Sequence, residues 1–410
     1  MALNYVWLAF FLIAFVVALF KSLILGDIAI FGNVLNGMLG SAKTGAEISL
    51  GLIGVMTLWL GIMRVGEKAG MISIFAKAVN PFFSKLFPQV PPGHPAMGSM
   101  MMNFSANMLG LDNAATPMGL KAMKELQEIN KEPEVASNPM IMFLVLNTAG
   151  VTIIPTSVIA LRLANGAANP ADIFIPTLIA TFVAFVTGMI TVSFYQRINL
   201  FKLPVLVFLG GFLCLMGGLY FWISHMPPSE IGVRTASLGG GVIFAIIVTF
   251  LVAGLVQKIN VYDAFIDGAK EGFQVAVRII PYLIAILVAI SAFRVTGCMD
   301  YMVNAIGGLF AWLGFNTDFV PALPVALMKP LSGGGARGLM VDVLTNYGAD
   351  SFQGRLASVI QGTTETTFYV LAVYFGSVNI KKTRHALACG LIADFAGILA
   401  AIILAYIFFH

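Results

Sequence analysis

The residues most able to do chemistry form the stretch QGTTETT, at positions 361–367. All but one of them are polar, yet they interrupt a segment, 351–377, that is otherwise typical of a membrane-spanning helix. Glutamine and threonine offer both hydrogen-bond donors and acceptors, and Glu365 can bind a cation, a proton or a donor group. This combination suits a neutral or zwitterionic polar solute such as a nucleoside, an amino acid or a small sugar.

Two carboxylates lie inside apolar segments, and each has two interpretations. An ionisable side chain at membrane depth is costly and therefore indicates function. For Glu365 the alternative is a structural ion pair with Arg337, and for Asp394 the choice between helix packing and a proton path stays open. Arg337 and Asp342 are five residues apart, which favours a surface pair between them.

The composition indicates a membrane protein. Of 410 residues, 59% are hydrophobic and 10% are charged, with a mean hydropathy of +0.92. Several apolar runs, such as 173–194, 203–223 and 386–409, reach the roughly 20 residues that cross a ~30 Å hydrocarbon layer. No repeated ten-residue alternation suggests a barrel. We therefore predict an all-α polytopic membrane protein in contact with the lipid bilayer.

Other classes of chemistry lack a sequence signal. The three cysteines and four histidines show no metal-ligand spacing, and we find no hydrolase or metalloprotease motif. The net charge of +4 does not require a nucleic-acid partner. The sequence thus predicts no enzyme activity, no metal site and no cofactor, with Na⁺ or H⁺ as candidate coupling ions.

The two halves of the chain repeat one order of features. Each half has an amphipathic stretch, a span, a second amphipathic stretch, a proline-bounded polar stretch, a polar span and a final apolar span. The polar stretch suggests a re-entrant helical hairpin, and the polar span suggests a broken helix. We predict a first repeat at 1–200, a linking transmembrane helix at 201–228 and a second repeat at 229–410.

The loop charges predict that the second repeat is inverted. Most of the 23 lysines and arginines fall on one side of the predicted topology, and that side is then cytoplasmic. On this assignment the first hairpin enters from the cytoplasm and the second from outside. Interrupted segments at corresponding positions of inverted repeats are typical of the binding site of a secondary transporter.

Each polar position in the hairpins also has a structural interpretation. Asp112 can cap the second arm of the first hairpin, with or without contacting a solute. Asn103 and Asn107 share a helix face and can bond other helices or a solute. Gly333 and Gly334 provide flexibility or allow a ligand to approach the backbone, and single threonines often bond back to their own helix.

Taken together, the interrupted segments predict one solute-binding cavity. The candidate solute-binding residues are Asn103, Asn107, Asp112, Asn113, Thr116, Asn147, Thr148, Ser332, Gly333, Gly334, Gln361, Thr363, Thr364, Glu365 and Thr366. Glu365 and Asp112 are also the candidates for ion coupling.

Long motifs carry a family resemblance. GLDNAATPMGLKAM and LNTAGVTIIPTSVIA resemble spore maturation protein A, and KPLSGGGARG and GRLASVIQGTTETTFYVLAVYFGSVNIKK resemble spore maturation protein B. Both belong to the nucleoside-recognition, or Gate, group, which is distantly similar to concentrative nucleoside transporters. In those transporters a Gln-Thr-Glu element contacts the nucleoside, and QGTTET is similar to it with a different spacing.

The resemblance and the repeats together imply a function. We expect a multi-pass secondary active transporter of the bacterial cytoplasmic (inner) membrane, carrying a small polar solute and coupled to an ion or proton. The solute would be nucleoside-like, amino-acid-like or an envelope metabolite, and a second copy of the chain is a candidate partner. The alternative is a membrane enzyme or assembly factor in envelope or peptidoglycan maturation, without transport.

Overall fold

The structure is a computed structural model that describes residues 2–110, 112–225 and 228–410. These residues form α-helices and one short 3₁₀ turn, and no β-strand occurs among them. The helices are α1 (Ala2–Leu23), α2 (Ile30–Lys68), α3 (Met71–Leu86), α4 (Pro95–Met108), α5 (Asp112–Glu128), α6 (Asn138–Thr148), α7 (Thr156–Ala164), α8 (Phe174–Gln196), α9 (Leu203–Ser224), α10 (Pro228–Val256), α11 (Val261–Val295), α12 (Cys298–Trp312), α13 (Leu323–Met328), α14 (Gly333–Tyr347), α15 (Phe352–Thr363), α16 (Thr367–Gly376) and α17 (Ala386–Phe409).

Six helices in the described ranges are long and apolar enough to cross a membrane. They are Asn4–Leu23, Ile30–Lys68, Phe174–Gln196, Ser237–Val256, Val261–Val295 and Ala386–Phe409. A helix needs about 20 apolar residues to span the hydrocarbon layer. The predicted all-α, multi-pass membrane protein is thereby confirmed.

The chain folds into two compact units, each assembled from three separate stretches of sequence. The first unit comprises Met1–Trp59, Ser157–Pro170 and Ala269–Gln361. The second comprises Leu60–Thr156, Ala171–Gly268 and Gly362–His410. Both units therefore draw on both halves of the sequence, whereas the predicted repeats at 1–200 and 229–410 concern internal symmetry and stay a prediction.

In the first unit, α2 packs closely against α11. A Cβ atom added at Gly272 would lie 2.7 Å from the Cα of Thr57, so the two backbones meet where glycine is present. Small residues allow such close approach between membrane helices, which gain little from hydrophobic burial in lipid. The indole nitrogen of Trp7 on α1 donates to the carbonyl of Ala285 at 2.9 Å and attaches α1 to α11.

In the second unit, aromatic and small residues share the packing. Phe83 and Phe104 place their ring centroids 5.3 Å apart, and Phe104 lies 5.5 Å from Phe185, so α3, α4 and α8 share an aromatic core. Elsewhere α6, α8 and α17 approach one another through small side chains. A Cβ atom added at Gly188 in α8, for example, would lie 3.2 Å from the Cβ of Ala393 in α17. The core therefore positions the ends of α6 and α16 beside α17.

The amphipathic stretch and the span that follows it form one continuous helix in each half. These helices are α2, with 39 residues, and α11, with 35. Pro281 lies within α11 without ending it. A proline is tolerated in a membrane helix when neighbouring groups satisfy the freed backbone.

Both polar spans are broken helices. The first stops at Thr148, at the end of α6, and resumes at Thr156, at the start of α7. The second stops at Thr363 and resumes at Thr367, so the non-helical residues are 364–366. These three residues lie within the polar run at 361–367, and α15 continues through Gln361 before it ends at Thr363.

The two polar hairpins are helical. In the first, α4 and α5 are joined by a turn that contains Gly110, with φ of 73°. This left-handed conformation favours glycine because a Cβ atom would clash with the backbone. In the second hairpin, the short α13 is followed by α14, which begins at Gly333.

Candidate functional site

Three asparagines of the second unit form a connected amide network. Asn107 donates from Nδ2 to Oδ1 of Asn147 at 2.8 Å, joining α4 to the end of α6. Asn103 donates to the carbonyl of Ala115 at 2.7 Å and so ties α4 to α5 within the hairpin. Asn147 in turn donates to the carbonyl of Phe143 at 2.9 Å. The network fixes the first hairpin against the broken helix.

The two helix breaks are also joined through the backbone. The amide of Glu365 donates to the carbonyl of Thr148 at 2.7 Å. Both groups are free for this bond because each lies at a helix interruption, where the intrahelical ladder leaves donors and acceptors unused. This bond holds residues 364–366 beside the end of α6.

A cavity of about 250 Å³ opens beside this junction. Its walls lie entirely within the second unit. They are formed by Asn107, Thr116, Asn147, Glu365, Tyr369 and Tyr374, together with Val370 and Val373. The side chain of Glu365 is exposed, and within the described part of this unit it makes no ion pair.

The cavity combines groups that can recognise a polar solute. Glu365 accepts hydrogen bonds or binds a positive group, while Asn107, Asn147 and Thr116 offer amide and hydroxyl groups. Tyr369 and Tyr374 add aromatic surface with a phenol at the edge. A few directed polar groups on a partly apolar wall are the usual composition of a small-molecule site.

The predicted site residues fall into several groups. Asn107, Thr116, Asn147 and Glu365 line the cavity, and Asn103 supports it from a buried position. Thr148, Thr363, Thr364 and Thr366 are buried and do not line it. Asp112 and Asn113 occupy the first turn of α5, and their side chains lie outside the described part of the structure.

The remaining predicted residues, Ser332, Gly333, Gly334 and Gln361, belong to the first unit. Ser332 accepts a hydrogen bond from the amide of Gly335 at 3.0 Å and caps α14. The buried Nζ of Lys329 donates to the carbonyl of Gln361 at 2.7 Å, where α15 approaches its end. Lys329 carried no sequence prediction, although it lies four residues before the glycines at 333–335.

The expected surface pair between Arg337 and Asp342 is wrong. Asp342 is buried and accepts from Arg294, whose Nε lies 3.0 Å from Oδ1. Asn346 also donates to Asp342, at 2.9 Å. Within this unit the Nε of Arg337 is buried without a hydrogen-bond partner among the described residues. Arg294 is 48 positions from Asp342, so spacing gave no signal for the true pair.

A second cavity, of about 560 Å³, lies among loop residues of the same unit. Its walls include Asn130, Lys131, Ser137 and Arg384. Next to it, burial and then the charge of Arg384 lower the pKa of His385. The Nε2 of this imidazole lies 3.3 Å from the side-chain nitrogen of Gln196. This cavity is larger, but it lies away from both helix breaks.

The sequence comparisons identify the family to which the chain belongs. The profile of the nucleoside-recognition family, Gate, matches residues 49–213 and 276–381, about two thirds of the chain. The chain belongs to the Gate family. The matched ranges include the first hairpin, both breaks and every residue that lines the cavity beside Glu365.

Named relatives of this Gate protein match different shares of it. Spore maturation protein B of Bacillus subtilis (strain 168) is 46% identical over 164 residues, which is 40% of this chain and 90% of that protein. Spore maturation protein A of the same organism is 40% identical over 195 residues, or 47% of this chain and 96% of that protein. The inner membrane protein YjiG of Escherichia coli (strain K12) is 34% identical over 87 residues, covering 21% of this chain and 55% of YjiG. No solved structure matches this Gate protein.

Proposed function

We propose that this Gate protein is a secondary active transporter of a small polar solute in the bacterial cytoplasmic membrane. The cavity beside Glu365 carries the proposal, because it places an unpaired carboxylate, two amides and two tyrosines at the junction of two helix breaks. Helix breaks at membrane depth persist only where protein or a wet cavity satisfies the backbone. Transporters use such breaks to bind their solutes.

The dimensions and chemistry of the cavity limit the solute. Its volume of about 250 Å³ falls just below the roughly 300–1,000 Å³ of typical ligand pockets, so one small molecule would fill it. Glu365 favours a solute that presents a hydroxyl, an amine or a positive group, and the tyrosines favour a ring or apolar edge. A nucleoside meets both conditions, as does an aromatic amino acid.

Uptake into liposomes tests the proposal. The purified protein would be reconstituted and offered labelled nucleosides, amino acids and small sugars, with Na⁺ gradients, H⁺ gradients or neither. We expect gradient-driven accumulation of one class. Glu365→Gln should weaken its binding roughly ten- to a hundredfold, since a hydrogen bond to a charged group contributes about 1.5–3 kcal/mol.

A matched variant controls for the loss of one surface charge. Glu128→Gln changes an exposed carboxylate at the end of α5, outside the cavity, and should leave uptake unchanged. Failure of the wild-type protein to move any solute class under either gradient would contradict transport. Equal uptake by Glu365→Gln and wild type would contradict the site.

The inverted repeat is part of the proposal, since alternating access would use two halves of opposite orientation. Single cysteines at positions 130 and 229, in a variant without Cys214, Cys298 and Cys389, would be treated in whole cells with an impermeant thiol reagent. We expect labelling at 229 and protection at 130. The reverse pattern would rule out the proposed orientation.

A further inference from the structure

A second carboxylate of the same unit lies buried inside a membrane helix. Asp394 is in α17 and only 1% exposed. Its Oδ2 accepts a hydrogen bond from the hydroxyl of Thr367 at 2.5 Å, and Thr367 is the first residue of α16. Asp394 therefore faces the end of the second helix break.

Threonines from both breaks pack against the face of α17 that carries Asp394. Gly390 and Gly397 lie four residues before and three residues after it, on the same face. A Cβ atom at Gly390 would lie 3.8 Å from the methyl of Thr148, and one at Gly397 would lie 3.3 Å from the methyl of Thr364. Glycine at both positions lets these threonines reach the helix.

Two of these threonines have buried hydroxyl groups that bond no described residue. Thr148 is 0% exposed and Thr364 is 5% exposed, and the Oγ1 of each is buried without a hydrogen-bond partner among the described residues. Buried polar groups are nearly always bonded, and exceptions call for an explanation such as a ligand. Here two such oxygens come from the residues that pack beside one buried carboxylate.

The surroundings are suited to a positive charge. α6 ends at Thr148, and the C-terminus of a helix carries partial negative charge. Hydroxyl and carboxylate oxygens are ligands for hard cations, and unwound helices in transporters bind Na⁺ in this way. No group of three His, Cys, Asp or Glu side chains in the described ranges could hold a metal, so a transition metal is not indicated.

We propose that Asp394, Thr148, Thr364 and Thr367 bind a sodium ion. One carboxylate among neutral hydroxyls balances a single positive charge and would leave a divalent ion overcharged. A proton would need only one carboxylate oxygen and would leave the hydroxyls of Thr148 and Thr364 without a role. The ion would drive the proposed transport, and in that sense the inference rests on the proposed function, although binding can be tested without a solute.

Thermal unfolding of the purified protein measures this binding. A ligand that binds only the folded state raises the melting temperature as its concentration increases. We expect NaCl to raise it in a saturable way relative to choline chloride at equal ionic strength. Asp394→Asn should abolish the sodium effect, although an asparagine oxygen can still accept from Thr367.

The valine variants separate a ligand role from a packing role. Thr148→Val and Thr364→Val remove hydroxyls that bond no described residue, so in choline they should melt at the wild-type temperature or higher. Each variant should still need a roughly tenfold higher sodium concentration to reach half of the maximal rise in melting temperature. Thr249→Val is the matched control, because Thr249 is exposed and its hydroxyl donates back to the carbonyl of Ala245 in its own helix.

Several outcomes would overturn the site. These are equal melting of the wild type in sodium and choline, a retained sodium effect in Asp394→Asn, or valine variants with unchanged sodium dependence. A pH-dependent shift without a sodium effect would also overturn it in favour of a proton. Glu365→Gln should weaken solute uptake and keep the sodium effect, so failure of the transport proposal is distinguishable from failure of the sodium site.

Discussion

The two helical hairpins, α4–α5 and α13–α14, are held by different chemistry. In the first, the contacts are hydrogen bonds from neutral amides. Asn103 donates across the hairpin to the carbonyl of Ala115, and Asn107 donates to Asn147. In the second, the contacts involve charged groups. Asp342 accepts from Arg294, and Lys329 donates to the carbonyl of Gln361.

The difference bears on which hairpin can serve a solute. An amide has several donor and acceptor positions and can hold a neighbour while still offering a bond to a ligand. Asn107 does both, since it bonds Asn147 and lines the cavity. The carboxylate of Asp342 instead accepts from Arg294 and Asn346 in a buried position. The first hairpin thus keeps capacity for recognition, whereas the ion pair of the second serves stability.

The largest expected effect is loss of the charged support. Asp342→Ala should lower the free energy of unfolding by about 3–5 kcal/mol, because it leaves the partly buried Arg294 without its main partner. Thermal unfolding in detergent would measure the change. Asn103→Ala in the first hairpin should cost less, about 1–3 kcal/mol, since the groups that lose a partner, chiefly the carbonyl of Ala115, are neutral.

Two further variants sharpen this prediction. Asp300 lies 3.9 Å from Arg294 but is exposed, so Asp300→Asn should cost at most about 1 kcal/mol. The double change Arg294→Met with Asp342→Leu removes both charges and should recover much of the stability. If Asp342→Ala and Asp300→Asn melt alike, the contrast between the hairpins is wrong.

The next prediction concerns the second arm of each hairpin, where a glycine allows close packing. A Cβ atom at Gly119 in α5 would lie 2.9 Å from Nδ2 of Asn103 and 2.6 Å from the Cζ of Tyr374. A Cβ atom at Gly338 in α14 would lie 2.9 Å from the Cβ of Ile286. Overpacking costs typically 1–3 kcal/mol, so Gly119→Ala and Gly338→Ala should both destabilise.

The two alanine variants should differ in function. Gly119→Ala displaces Asn103 and Tyr374, and should weaken solute uptake in liposomes because Tyr374 lines the cavity. The added methyl of Gly338→Ala would contact the aliphatic side chain of Ile286, so this variant should lower the melting temperature without affecting solute uptake. Gly98→Ala and Gly307→Ala are controls, since among the described residues no atom beyond the adjoining residues and the local helix backbone lies within 4 Å of the added carbon. Equal loss of uptake in both test variants would remove the proposed division of roles.

Local patterns in the sequence predicted the parts of the site that local chemistry decides. Asn103 and Asn107, four residues apart on one helix, do share a face, and their amides lie 3.4 Å apart. The polar run around Glu365 does interrupt a helix, because three consecutive residues there leave the helical ladder. Helix breaks and shared faces depend on neighbours in the chain, so they could be predicted.

Long-range pairing could not be predicted in the same way. Tyr374 lies in an apolar segment that gives no sign of a polar role, yet its hydroxyl lies 3.4 Å from Nδ2 of Asn103, 271 positions away. Arg337 is closer to Asp342 in sequence than Arg294 is. Asp342 nevertheless pairs with Arg294, which lies in α11. Which side chains contact each other depends on how the helices cross. One sequence pattern is compatible with several helix-packing arrangements, so it does not determine these contacts.

The smallest expected effect concerns the caps at which the helices of the hairpins begin. Ser332 caps α14 by accepting from the amide of Gly335 at 3.0 Å, and His94 caps α4 by accepting from Ala96 at 3.3 Å. Ser332→Ala should cost about 1 kcal/mol, because an amide at the helix start loses its acceptor. Ser332→Asp should retain the cap and add a favourable charge at the positive helix end.

Changing the cap of the first hairpin, His94, gives the comparison with Ser332. Asparagine is among the best capping residues, so His94→Asn should match or slightly exceed the wild-type melting temperature, whereas His94→Ala should fall below it. Because Ser332 was also predicted to bind solute, uptake must be measured beside melting. If Ser332→Asp melts normally but loses uptake, the serine hydroxyl contacts the solute as well as the helix. If Ser332→Ala loses about 1 kcal/mol and keeps normal solute affinity, its role is the cap alone, and recognition rests with the amides of the first hairpin.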